Sequence, residues 1–356
     1  MTERKRSVVS EAAAQVEEEV AQDIPELLPL STEYMLSTGC TLLDLAISGK
    51  RVRGGGIPGG AIVEVFGAHG CGKTAVLVEA AADAIAQGGN CAFADPEARL
   101  DKAYAEQYGM HLKKDLYTRP DTVEELFDWL QTLPYNENAI NVACADSLAA
   151  LSTNLEMDGE DKMGMRRAKM FSERLRKNAR VLGQHNRVLL CSNQMRQGDM
   201  TMVTPGGKAV GYYSSIRVQL RQLQVLTKKK KYNGEHGAGK ELEKAYGIKV
   251  EFVVKKNSVD DPYRKGTFYL IFNYGIDNIR SNLQYIKDVT KSSTYLAVDK
   301  SYQSMQAAVD YIEKNNLEDA LTEMTINLFN EVEDMFRQDR KPKQRGIGAS
   351  DENVSD

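Results

Sequence analysis

The chain has 356 residues, 42% of them hydrophobic and 27% charged. That length predicts about two domains of roughly 150 residues with a core that needs no staples, and the composition excludes a wholly disordered, collagenous or coiled-coil protein. Against 50 Asp and Glu stand 46 Lys and Arg, a net charge of −4, so partners have to be sought in local charge rather than in the average.

No apolar run reaches the roughly 20 residues of a membrane span. The opening MTERKRSVVSEAAAQ has basic residues without an apolar stretch behind them, so a cytoplasmic protein without membrane contact is expected. Cys40, Cys71, Cys91, Cys144 and Cys191 form no C-x-x-C pair, and His69, His111, His185 and His236 are scattered. Reduced, buried thiols and no structural zinc are expected.

In chain order, residues 8–22 place Val9, Ala13, Val16 and Val20 at helical spacing with acids between them. Spacing alone leaves two readings, a helix folded on its own core or an arm docked on a neighbour. From residue 61, apolar runs at 61–67, 90–96, 139–147 and 186–194 alternate with helical stretches at about 73–87, 122–133 and 166–184. That alternation predicts a parallel sheet covered on both faces. Runs at 215–226, 248–258 and 266–275 follow without a long helix and read as an antiparallel extension. Beyond about 276 the pattern is helical (302–315 and 317–337), and GASDENVSD ends the chain as an expected disordered acidic tail.

Gly67, Ala68, His69, Gly70, Cys71, Gly72, Lys73 and Thr74 spell G-x-x-x-x-G-K-[ST], directly after an apolar run and before a helical one. The glycines let backbone N–H groups converge on an anion, and the helix start adds its positive dipole end. Lys73 supplies a point charge to ATP phosphates, and Thr74 a hydroxyl to Mg²⁺. Asp146, ending the run at 139–147, is the candidate second metal carboxylate. Glu97, after Asp95 and Pro96, lies at the expected ligand edge of the sheet and is the candidate water-activating group; a solvated loop acid fits the spacing equally.

The phosphate motif, FADPEARLDKAYAEQYGM (93–110), ACADSLAAL (143–151), CSNQMR (191–196) and PGGKAVGYYSSIRVQL (205–220) together resemble the bacterial and phage RecA-type recombinases. The match starts at STGCTLLDLAISG (37–49) and runs to about 290. The resemblance implies an α/β fold: a P-loop RecA-like core with a mostly parallel central sheet, an N-terminal helical arm and a small C-terminal helical domain. The expected divisions are an arm at 1–36, a core at 37–275, a C-terminal domain at 276–340 and the tail at 341–356. It also implies that Glu97 is catalytic and that Asp101 and Tyr104 contact adenine. Gln194 would sense the γ-phosphate, and Lys255 or Lys256 would reach the neighbouring protomer's ATP. Val9, Val16 and Val20 would belong to the docking arm, and Tyr212 to the protomer interface.

Residues 160–196 hold ten Lys and Arg against three acids, a local +7. Met170, Phe171, Leu175, Ala179 and Leu182 form an apolar stripe on the same helix, leaving a basic face for a phosphate backbone. Expected DNA loops lie at about 156–165 and 195–210. The candidate contacts are Met163, Gly164, Arg166, Arg167, Lys169, Arg176, Arg196, Gly206, Gly207 and Lys208. The chain departs from the family pattern in having Gly211 where a lysine is usual, an extra residue in VVKKNSV, and an inserted hairpin or loop at 227–246. There, Lys228, Lys229, Lys230 and Lys231 either bind a second DNA strand or form a solvated, disordered tip.

The implied function is an ATP- and Mg²⁺-dependent recombinase. It would form a helical filament on single-stranded DNA and exchange strands with homologous duplex DNA, with single-strand-binding and loader proteins as further partners. The rivals are a ring-forming motor of the same fold and an accessory paralogue that modulates another recombinase.

Overall fold

The computed structural model describes residues 30–154, 165–197, 202–203, 207–234 and 237–337. The described part begins with β1 (Ser31–Leu36), α1 (Thr41–Ser48) and β2 (Ile57–Gly59), β1 and β2 pairing antiparallel. The repeating part follows: β3 (Ile62–Gly67), α2 (Lys73–Ala86), β4 (Cys91–Ala94), α3 (Lys102–Gln107) and β5 (Tyr117–Thr118). It continues with α4 (Val123–Thr132), β6 (Asn141–Ala145), α5 (Met165–Gln184) and β7 (Arg187–Gln194). After β8 (Arg196–Gln197), β9 (Met202–Val203) and α6 (Gly207–Tyr213), the chain returns to the sheet as β10 (Ile216–Gly234), β11 (Gly237–Asn257), β12 (Lys265–Ile271) and β13 (Gly275–Asp277). The last described elements are α7 (Asn278–Thr290), β14 (Tyr295–Ala297), β15 (Lys300–Tyr302), α8 (Met305–Asn315) and α9 (Glu318–Met335).

Among the described residues, nine strands form the main sheet in the order β13-β12-β11-β10-β3-β7-β6-β4-β5. The period of two along a strand sends neighbouring residues to opposite faces, and here both faces are core. Val63, Val65, Phe93, Cys144 and Leu190 pack under α1 and α2. Ile62, Ala94, Ala143, Leu189 and Cys191 pack with Phe127 of α4 and Phe171 and Leu175 of α5. The apolar stripe read on the basic helix is thus the surface it buries, and all five cysteines are free and buried.

The sheet is mostly parallel, as the alternation of runs and helices implies, but the antiparallel part starts one strand later than expected. β10 lies parallel to β3, and only β11, β12 and β13 run antiparallel. The long connection through α6 allows this, because a parallel pair needs a crossover and not a hairpin.

The described part of 227–246 is continuous strand rather than an irregular tip: Thr227 to Lys231 pair with Ala245 back to Glu241. Residues directly opposite share a face. Lys228 and Lys230 therefore lie with Lys244 and Leu242, while Lys229 and Lys231 face Glu243 and Glu241.

The C-terminal unit is not wholly helical. The β14–β15 hairpin sits among α7, α8 and α9; strands of three residues are too short to leave a periodic signal. This unit docks on the core through Ile326 and Phe329 of α9 against Leu45 of α1, with Arg264 bridging to Glu333 at 2.6 Å. The arm residues Val9, Val16 and Val20 and the acidic tail lie outside the described residues.

Candidate nucleotide-binding site

β3 ends at Gly67, on the carboxyl edge of the sheet, where folds of this type bind ligands. A Cβ on Gly67 would stand 2.3 Å from the Leu220 carbonyl oxygen, so only glycine lets the loop leave β3 so close to β10. Gly72 has φ +89°, in the left-handed region that suits glycine, and caps α2 with no side chain of its own. The first N–H groups of α2 therefore face the loop, as an anion site requires.

Lys73 is buried and donates from Nζ to the carbonyls of Gly67 (3.2 Å) and Ala68 (2.8 Å). Its ammonium is held at the mouth of the loop. Thr74 Oγ1 donates to Asp146 Oδ2 at 2.5 Å, and Ser192 Oγ donates to Asp146 Oδ1. Burial pushes the Asp146 carboxyl above the usual carboxylate range; the Ser192 and Thr74 bonds oppose this, and Glu97 and Asp95 add to it.

Glu97 follows β4 in a turn that Asp95 organises. Buried Asp95 accepts the Arg99 N–H at 3.0 Å, the Leu100 N–H at 2.9 Å and the Tyr117 hydroxyl at 2.9 Å. Ala98 takes φ +54° to close the turn, with its N–H on the Asp95 carbonyl at 3.0 Å. The Glu97 side chain is 16% exposed, so it is not a solvated loop acid. Its Oε1 accepts Gln194 Nε2 at 2.7 Å, and its Oε2 pairs with Arg99 at 2.8 Å. The ends of β3, β4, β6 and β7 thus bring together Lys73, Thr74, Glu97, Asp146 and Gln194. Thr74 and Asp146 are hard oxygen donors beside the loop and fit Mg²⁺, which takes few protein ligands and keeps most of its waters.

The other expected residues are placed as follows. Asp101 caps α3 by accepting the Tyr104 N–H at 3.2 Å, and the Tyr104 ring meets Tyr108 edge-on at 4.7 Å. Lys256 donates to the carbonyls of Gly211 (3.1 Å) and Tyr212 (2.6 Å). Burial, and then Arg217, lower its pKa. Lys255 is exposed, and the ladder skips it between the Arg217–Lys256 and Val218–Val254 pairs. The extra residue of VVKKNSV is therefore absorbed as a β-bulge. Tyr212 is 44% exposed at the end of α6.

On α5, Lys169 is exposed, Arg176 is half-buried, and Arg167 is tied to the Leu151 carbonyl at 3.1 Å. Met163, Gly164 and Gly206 lie outside the described residues. Arg166, Arg196, Gly207 and Lys208 are placed by backbone alone, in α5, β8 and α6. Part of the second expected loop is thus ordered structure, since β8 pairs with β9 and α6 opens at Gly207.

Residues unread in the sequence also serve the site: Arg99 on Glu97, Ser192 on Asp146, and Asp95 beneath the turn. Ser192 stands two residues before Gln194 on the same strand, a period-2 signal that could have found it.

A strand–glycine loop–helix whose lysine and hydroxyl meet a strand-end carboxylate defines a P-loop nucleotide-binding protein of the α/β class. A family model described as the RecA N-terminal domain matches residues 29–277, and the chain belongs to the RecA family. Protein RecA of Crocosphaera subtropica is 33% identical over 293 residues, covering 79% of this chain and 78% of that protein. Protein RecA of Marinobacter nauticus is 29% identical over 359 residues, covering 96% and 95%. The crystal structure of the RadB recombinase aligns with a TM-score of 0.47 at 17% identity, over 68% of this chain and 98% of that one. Among the described residues, no helix is long and apolar enough to cross a membrane.

Proposed function

We propose that this protein is an ATP-dependent recombinase that assembles as a helical filament on single-stranded DNA, pairs it with homologous duplex and hydrolyses ATP in response to DNA. The observation that carries the reading is the meeting of two contacts at adjacent strand ends, Thr74 with Asp146 and Gln194 with Glu97. One pair suits a metal–phosphate group, and the other suits a water and the sensor of its target.

In this reading the loop amides and Lys73 bind the ATP phosphates, Lys73 exchanging its loop carbonyls for them. Thr74 and Asp146 hold Mg²⁺, which neutralises phosphate charge when bound. Glu97 orients and deprotonates the attacking water, and Gln194 links it to the segment at 195–210. Asp101 and Tyr104 flank the base. Lys256 is committed to carbonyls of its own chain, so exposed Lys255 is the cation offered to a neighbouring protomer's ATP. The basic face of α5 grips the DNA backbone without reading bases, and a head-to-tail, non-closing interface builds the filament.

The test is ATP hydrolysis with and without single-stranded DNA across a salt series, followed by strand exchange. Stimulated turnover that fades with salt supports the proposal. DNA-independent turnover points to a ring motor, and no turnover to an accessory paralogue.

A further inference from the structure

Glu64 lies in the middle of β3, the strand that leads into the phosphate loop, and is fully buried. A lone carboxylate there would be costly, and the two flanking strands supply partners. Arg217, its register partner on β10, donates from Nε to Oε2 at 2.5 Å, and Asn193 on β7 donates from Nδ2 to Oε1 at 2.9 Å. Asn193 Oδ1 then accepts the Gln194 N–H at 3.0 Å, and Gln194 holds Glu97 at 2.7 Å.

At its other end the set reaches α6. A Cβ on Gly211 would stand 3.2 Å from the Arg217 guanidinium, so a side chain at 211 would press on Arg217 and the two lie in close contact. Lys256, opposite Arg217 on β11, donates to the Gly211 and Tyr212 carbonyls. Hydrogen bonds thus run from Arg217 on β10 through Glu64 and Asn193 to Gln194 and Glu97, while at the near end Arg217 lies against Gly211 with Lys256, a like charge, beside it.

The surroundings on this face are apolar, with Ile62, Leu189 and Val210 all buried. Well-packed apolar side chains in place of a buried ion pair are commonly as stable or more so, so stability alone does not call for Arg217 and Glu64. What they do hold is position. We propose that Arg217 and Glu64 are positioning residues that couple the end of α6 to Gln194 and Glu97, so that a displacement at Gly211 and Tyr212 alters the hydrogen bond that orients Glu97. The catalytic consequence rests on the ATPase reading above; the coupling itself does not.

The experiment compares wild type with the double variant Glu64→Leu/Arg217→Met, which keeps volume and removes the charges, and with Arg217→Lys, which keeps the charge but loses the planar fork. Two readouts are taken: hydrogen exchange over 207–213 with and without a non-hydrolysable ATP analogue, and kcat and KM for ATP with and without single-stranded DNA. In wild type the analogue should slow exchange at 207–213. In the double variant that response should vanish at an unchanged melting temperature. DNA-stimulated kcat should fall about tenfold with KM altered less than about twofold, the scale of an ordinary coupling energy. Arg217→Lys should fall between and serves as the test should the double variant fail to fold. Wild-type exchange and turnover responses in the folded variants would overturn the proposal, as would no exchange response in wild type. A wild type that transmits the exchange response but never turns over ATP would sink the ATPase reading and leave the coupling standing.

Discussion

Lys73 and Thr74 are neighbours in sequence, yet one points back to the loop carbonyls and the other across to β6. Their substitutions should therefore differ. Lys73→Ala is expected to abolish ATP-dependent turnover, whereas Thr74→Ala should raise the Mg²⁺ concentration needed for it, both measured by phosphate release. Glu97→Gln should retain nucleotide binding and lose turnover by roughly 10²-fold or more, the usual worth of a positioned general base. Lys255→Ala should lower kcat by on the order of 10²-fold, as loss of a charge-stabilising donor does, without lowering the melting temperature. Lys256→Ala should do the opposite and lower stability first, because its ammonium is partly buried on two carbonyls. The phosphate loop was legible in the sequence because eight consecutive residues carry it. Glu97 was legible only through its edge position and a family likeness, since nothing in its spacing separated it from a loop acid. Arg99 and Asp95 were hidden because they act within an irregular turn that leaves no periodic signal, whereas the period of two along β7 could have shown Ser192.

The junction of β1, α1 and α2 carries a feature that periodicity cannot show. Asp44 of α1 is buried and accepts Ser37 Oγ at 2.6 Å and the Thr38 N–H at 2.9 Å; Glu79 of α2 accepts the Ile276 N–H at 3.0 Å. Burial pushes both carboxyls up to about 7. A folded pKa above the unfolded one means that the native state keeps a proton the unfolded chain has already lost. The stability these groups contribute is full below their ordinary values of 3.8 and 4.5 and is lost as pH rises to about 7. Urea midpoints should thus fall between about pH 4 and pH 7 and level off above, and Asp44→Asn should flatten part of that fall. Leu45, on the same helix, is fully buried against α9, so Leu45→Ala should cost about 3 kcal/mol and loosen the C-terminal unit first, seen as faster hydrogen exchange in α9. Long elements with strong periodicity, such as α2, α5 and β7, were legible to within a residue or two. The short β1, β2, β14 and β15 were not, because three to six residues carry too little pattern and their pairing is decided by packing elsewhere.

A net charge of −4 spread over 356 residues hides a basic helix on one side of the molecule. Binding to single-stranded DNA should weaken linearly in log–log salt plots, and Lys169→Ala, on the exposed side of α5, should lower the slope by about 1 without changing sequence preference. The direction of β10 was not legible in the sequence, since it depends on a crossover through α6 whose preceding residues carry no regular pattern. The same sheet has a further consequence. Its outer strands are very short, two residues in β5 and three in β13, which leaves little edge for another chain to extend. The β10–β11 hairpin escapes that protection. β10 parts from β3 after Leu220, and β11 pairs with β12 only from Gly247 onward, so towards the hairpin tip no described strand pairs with either of its long edges. Lys228, Lys229, Lys230 and Lys231 then guard the β10 edge, because two such edges brought together would set like charges against each other. Replacing all four with threonine should leave the nucleotide site intact and make the protein form β-rich aggregates as its concentration rises, measured by light scattering and thioflavin fluorescence.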